Sequence, residues 1–165
     1  MGMGEAAISG IPGDVLACIG LGSCIGLALV DRRGGIAALA HVMLPATTQP
    51  APPQPHKFAD LAVPALIDLS LAHGALGARL EAVLVGGAAM FRLGTGSGQD
   101  IGARNEAAVR AALSEQAVPV RAASTGGGLG RTVRVHVGAD ITITVRAAGG
   151  PEEGLLGAPE PRIAA

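Results

Sequence analysis

Hydrophobic and polar positions alternate along the chain in two rhythms. Three short apolar runs, residues 15–21, 25–30 and 36–41, are separated by glycine or by the polar stretch 31–35, and such runs bounded by turn residues predict buried strands. The Pro-rich residues 45–56 predict an extended surface loop. Beyond it Phe58, Leu61, Ala65, Leu69 and Ala72 recur at helical spacing, and Gly74 is a natural stop. Pro64 inside that pattern lacks a backbone N–H and predicts a kink or a later helix start. Residues 81–91 predict another buried strand running into a glycine turn, and residues 102–116, with Val109 and Leu113, predict the clearest helix. Strand character returns at 118–123, 131–137 and 141–146. In the last two, Val133, Val135 and Val137, then Ile141, Ile143 and Val145, alternate with polar residues, as in a half-buried hairpin with His136 facing solvent. From Ala147 onward Gly, Pro and Glu dominate and no period survives. The chain therefore divides into one domain over residues 1–146 and a disordered tail over 147–165.

Composition narrows the class. A chain of 165 residues suits one α/β domain with a real core. The net charge of -1 and the lack of Trp and Tyr leave neither a basic face for phosphates nor a platform for stacking bases, which argues against nucleic acid. A mean hydropathy of +0.47 raises the question of a membrane. The uncharged run between Asp14 and Asp31 falls short of the roughly 18 residues a span needs and is broken by Gly20, Gly22 and Gly26, so membrane insertion is not expected. The first residues lack a basic and apolar export signal, which predicts a cytoplasmic protein whose two cysteines are free thiols.

Those two cysteines, Cys18 and Cys24, allow three chemical readings. Cys in an apolar run is often a small core residue. With His41 and His56 the pair has the right ligand types for zinc, although five intervening residues is not a recognised zinc spacing. The third reading is a nucleophile, which needs a base close by. If residues 25–31 and 34–40 form a hairpin in which Asp31 faces Gly34, Cys24 stands opposite His41, with Cβ atoms roughly 5 Å apart. A turn on Gly34-Gly35 moves His41 opposite Ala28 instead. Gly20, Gly22 and Gly26 leave the backbone around Cys24 bare, so its N–H groups can approach a developing oxyanion. The spacing of these glycines is not a dinucleotide fingerprint, and the glycines at 94–98 and 126–130 are too loose to name a nucleotide. Arg104 and Arg131 can grip an acidic partner.

The segments "LGSCIGLALVD" (21–31) and "GGIAALAHVMLP" (34–45) resemble the signature of the chemoreceptor glutamine deamidase family, CheD. The likeness continues, in the family's order, through "FADLAVPALIDLSLAHGA", "VGGAAMF", "IGARNEAAVRAAL" and "TGGGLGRTVRVHVG". By this resemblance Cys24 is the nucleophile, His41 the base, and the Gly22-Ser23-Cys24 turn supplies the oxyanion donors, with no metal or organic cofactor. Cys18 stands six residues before the nucleophile, where the family usually has a threonine, and Ser124 stands where an aspartate is common. The resemblance implies an α/β layered sandwich of mixed and antiparallel sheet with flanking helices, similar to the catalytic domain of cytotoxic necrotizing factor toxins. It also implies deamidation of glutamines on methyl-accepting chemotaxis receptors, with a CheC-type phosphatase as a further partner. The rival expectation is a catalytically weak adaptor that binds receptor or phosphatase through the same groove.

Overall fold

The computed structural model describes residues 1–89 and 101–157. Their order is β1 (Ala6–Ser9), β2 (Val15–Leu21), β3 (Ile25–Asp31), β4 (Ile36–Val42), α1 (Ala59–Ala72), β5 (Glu81–Gly86), α2 (Ile101–Glu115), β6 (Val120–Thr125), β7 (Arg131–His136), β8 (Thr142–Ala147) and β9 (Glu152–Leu156). A five-stranded sheet runs β1-β4-β3-β5-β6 and a four-stranded sheet runs β2-β7-β8-β9. All pairings are antiparallel except β5 with β6. That one parallel pair is joined through α2, because a parallel connection needs a crossover long enough to return the chain.

Strict alternation builds two cores from the larger sheet. Ile25, Leu27 and Leu29 of β3 point to one face and pack with Val63 and Leu66 of α1 and with Val109 of α2. Ala28 and Val30 point to the other face and pack with Val133, Val135 and Ile143 of the smaller sheet. Strands buried on both faces read as unbroken apolar runs, which is why β3 lacks the polar alternation of β7 and β8. The result is a layered α/β sandwich, helices on one side of a mixed sheet and an antiparallel sheet on the other, as expected.

Several local expectations change. Residues 15–21 and 25–31 are strands around a turn, but β2 pairs with β7 whereas β3 pairs with β4 and β5. The chain thus passes from one sheet to the other through Gly22, Ser23 and Cys24. The β3–β4 register places Asp31 opposite Ile36 and Gly26 opposite His41, so neither register considered from the sequence is the one adopted. Helix α1 begins at Ala59, ahead of Pro64; no later start is needed, since one missing N–H near the helix beginning interrupts a single bond. The expected disordered tail contains a strand among its described residues. Glu152–Leu156 adds an edge strand to β8, because Leu155 and Leu156 pack against the inter-sheet core despite their polar surroundings. Two elements, β1 and β9, carried no readable period. Among the described residues no helix is long and apolar enough to cross a membrane.

One buried charge fixes the β3–β4 turn. Asp31 is fully buried; its carboxylate accepts from Arg79 Nη2 at 2.6 Å and Nε at 3.0 Å, from Leu76 N at 3.0 Å and from Gly34 N at 2.8 Å. Burial alone would raise its pKa, but these donors and the Arg79 charge hold it below the ordinary value. The stabilisation is therefore complete above about pH 3.9, the unfolded value, and is lost as pH falls through the lowered folded value. Asp31→Asn is expected to cost about 3 kcal/mol at pH 7, read by urea unfolding, because it leaves Arg79 without its counter-charge. A loss below about 0.5 kcal/mol would show the turn to be held by other contacts.

Candidate active site

The Gly22–Cys24 turn is pinned by its carbonyls. Ala88 N donates to Gly22 O at 2.8 Å and Gly87 N donates to Cys24 O at 2.9 Å, while Asn105 Nδ2 donates to Ser23 O at 2.9 Å. The backbone N–H groups of Ser23 and Cys24 make no hydrogen bond among the described residues. The turn that carries the Cys24 sulfur therefore holds two bare donors, a set suited to an oxyanion.

Close approach by β5 makes this possible. Gly86 has φ +118, and a Cβ built there would lie 2.1 Å from Cys24 O. Only glycine combines that backbone conformation with that contact. Gly26, opposite His41, lies beneath the smaller sheet: a Cβ on it would meet Leu21 Cδ1 at 2.8 Å and Val133 Cγ1 at 3.0 Å.

His41 follows Ala37 and Leu39 by steps of two, and both of these face the inter-sheet core. Its ring therefore points to the same side as the bare α-carbon of Gly26. Cys24, half-buried, packs against that same inter-sheet core, and Cys18 lies within it, wholly buried. The register is displaced by two residues from the Cys24–His41 pairing expected, and a shift of two keeps both residues on one face. Cys24 stands one residue beyond the last ladder pair, Ile25–Val42; residues displaced by two in a regular ladder lie roughly 7–8 Å apart, within reach of aromatic and long side chains. Cys24 and His41 do not hydrogen-bond to each other in this state, and His41 Nδ1 is buried without a partner among the described residues. His56 sits in the 3-10 turn Pro55–Lys57. Among the described residues no three His, Cys, Asp or Glu side chains gather as a metal site requires.

Burial sets the protonation states. It raises the Cys24 pKa above its ordinary value and pushes Cys18 up to about 12. The His41 pKa is lowered from 6.5, chiefly by burial. The Met1 backbone opposes this, the N-terminal ammonium adds to it, and Glu5 opposes it. The N-terminal segment runs beside β4, with Gly4 N donating to His41 O at 3.0 Å and His41 N to Glu5 O at 2.9 Å. The resting pair is thus thiol and neutral imidazole. Attack must be coupled to proton transfer, and the rate should follow neutral His41. The acid limb of kcat/KM is expected to have its midpoint below pH 6.5, followed by a plateau through about pH 8. A profile that instead climbs with a midpoint above pH 8 would assign the rate to thiol ionisation.

The remaining candidates have structural partners. Arg131 Nε donates to Ser124 Oγ at 3.1 Å, and its Nη1 donates to Gly126 O at 2.7 Å, bracing the glycine loop. His136 lies on the outer face of the smaller sheet, half-buried, with Nε2 3.4 Å from Thr144 Oγ1. The glycines at 94, 96 and 98 lie outside the described residues. Asn105 was not recognised from the sequence. Its signal was its place on the buried stripe Gly102, Asn105, Val109 and Leu113 of α2, where a polar residue needs a reason.

Comparison with known proteins gives a single answer. The family model described as CheD chemotactic sensory transduction matches residues 43–147, more than half of the chain but starting beyond Cys24 and His41. The probable chemoreceptor glutamine deamidase CheD of Clostridium botulinum (strain Alaska E43 / Type E3) is 45% identical over 135 residues, 81% of this chain and 83% of that protein. The protein of the same description from Symbiobacterium thermophilum is 43% identical over 142 residues, 83% and 85% of the two chains. That from Natronomonas pharaonis is 40% identical over 116 residues, 70% of each.

Proposed function

The chain belongs to the CheD family, and from that premise we propose that it deamidates glutamine side chains of methyl-accepting chemotaxis receptors, leaving glutamate. Neutral His41, through its unpartnered Nδ1, takes the Cys24 proton as the sulfur attacks the amide carbon. The C–S bond forms and the carbonyl π pair moves to oxygen, where the N–H groups of Ser23 and Cys24 receive it. His41 returns the proton to nitrogen as the C–N bond breaks and ammonia leaves. Water, deprotonated by His41, then cleaves the thioester to release the glutamate side chain and restore the thiol. Cys18 remains a neutral thiol throughout and contributes contact and weak hydrogen bonding only.

What supports this reading is one observation: Cys24, at the entry to β3, and His41 of β4 both face the inter-sheet core, with two backbone donors of the turn unpaired among the described residues. The family supports the substrate, since the relatives are described as acting on chemoreceptor glutamine. A cytoplasmic location and a CheC-type phosphatase partner belong to the same proposal. The rival reading, a weakly active adaptor, draws on Cys18, a poorer hydrogen-bond partner than the threonine it replaces.

Incubation with a receptor cytoplasmic fragment, followed by peptide mass mapping, separates the two. Each converted glutamine gains about 1 Da as amide becomes acid. Conversion supports the enzyme; tight binding with every glutamine intact supports the adaptor.

A further inference from the structure

The carbonyls of the Cys24 turn are held by three donors, of which two are backbone and one is a side chain. That side chain, Asn105, is fully buried. Both hydrogens of its amide are used, one on Ser23 O at 2.9 Å and the other on Met43 O at 2.8 Å. Both partners are acceptors, so the amide orientation is dictated: the NH2 group must face them. Its oxygen is buried with no partner among the described residues.

The two carbonyls flank the mouth of the β3–β4 hairpin. Ile25 and Val42 form the last ladder pair, Ser23 precedes the first by two residues, and Met43 follows the second by one. Asn105 thus bridges the two strands where the ladder stops, and the strands it ties carry Cys24 and His41. Its reach is fixed by α2, whose first turn lies so close to the end of β5 that a Cβ on Gly102 would fall 2.3 Å from Gly87 O.

In a trans peptide the C=O and the following N–H point in opposite directions. Ser23 C=O and Cys24 N–H belong to one peptide plane. Drawing the carbonyl toward α2 therefore turns the Cys24 N–H away from α2, to the side where it has no partner among the described residues. A residue kept for stability alone would not carry an unpaired buried oxygen, which loses hydration without compensation.

We propose that Asn105 is a positioning residue that aims the Cys24 N–H at the oxyanion of acyl transfer. It touches neither substrate nor reacting atoms and acts through the Ser23–Cys24 peptide. The inference rests on the reading of Cys24 as an acyl-transfer nucleophile, but not on the identity of the glutamine substrate.

Two reagents that attack the same sulfur test it. p-Nitrophenyl acetate acetylates Cys24 through a tetrahedral oxyanion: the thiol proton passes to His41, the C–S bond forms, the ester C–O bond breaks, and p-nitrophenolate departs. Iodoacetamide alkylates by direct displacement of iodide, with no oxyanion. In Asn105→Ala and Asn105→Asp, acylation is expected to fall at least about tenfold, by comparison with the 10²–10³-fold cost of a lost oxyanion donor. Alkylation is expected to stay within about threefold of wild type. Rates are referred to the fraction of protein that iodoacetamide labels, and Cys24→Ala identifies the sulfur responsible.

Equal loss with both reagents, no loss with either, or failure of wild-type Cys24 to be acylated overturns the proposal. So does failure of both variants to show a cooperative thermal transition, which would assign Asn105 to folding alone. The deamidase reading fails separately, as wild-type protein that is acylated at Cys24 yet leaves receptor glutamines unchanged.

Discussion

Replacing Cys24 with alanine is expected to lower glutamine conversion by about a thousandfold or more while leaving the protein folded. The side chain is half-buried at the edge of the inter-sheet core, so trimming one sulfur removes little buried area. What is lost is the covalent route, and removal of a nucleophile from a coupled acid–base pair eliminates most of the rate its partners help to produce. Peptide mass mapping of a receptor fragment, alongside thermal unfolding of the variant, gives both readings. Residual conversion within tenfold of wild type would place the nucleophile elsewhere. Cys18 is not a substitute, because burial keeps it protonated, with its pKa pushed up to about 12.

Gly86→Ala is expected to be nearly as damaging, though the residue carries no functional group. An alanine Cβ would stand 2.1 Å from Cys24 O, and the backbone there has φ +118. Neither atom belongs to a flexible side chain, so strand β5 or the Cys24 turn must move. Because Gly87 N and Ala88 N hold Cys24 O and Gly22 O, movement of β5 carries the turn with it. Conversion should fall at least a hundredfold and stability by about 3 kcal/mol. Gly74→Ala is the matched comparison: φ is +96 but nothing lies within 4 Å of the added Cβ, so only the conformational cost of about 1–2 kcal/mol applies. If the two variants lose equal stability and equal activity, the close approach at Gly86 does not shape the site.

Much of the sandwich was legible because burial leaves a period in the sequence. Val133, Val135, Ile143 and Val145 alternate with polar residues, and the observed strands follow them. The face shared by Cys24 and His41 was legible for the same reason. Their separation along the strands was not. It depends on the turn, and the turn depends on Asp31, whose carboxylate captures Gly34 N and pairs with Arg79, 48 residues away. A contact at that distance leaves no local signature. The sheet change at Gly22–Cys24 was hidden likewise, since two apolar runs around glycines read as buried strands whichever partners they take. Asn105 escaped because helix periodicity records which residues face inward, not which carbonyls await them. The strand β9 escaped because an edge strand needs only its ladder and two leucines, too few to make a period.

The passage of the chain between sheets has a consequence for synthesis. The turn bearing Cys24 is framed by β2 on one side and β3 on the other, and the partner of β2 is β7, separated from it by more than a hundred residues. A chain emerging from the ribosome has long since completed Cys24 and His41 before β7 exists, so β2 waits unpaired and the two halves of the reactive centre lack a common wall. Ribosome-bound chains halted before Arg131 should therefore hold an inert thiol, and reactivity should appear abruptly once β7 and β8 have cleared the exit tunnel.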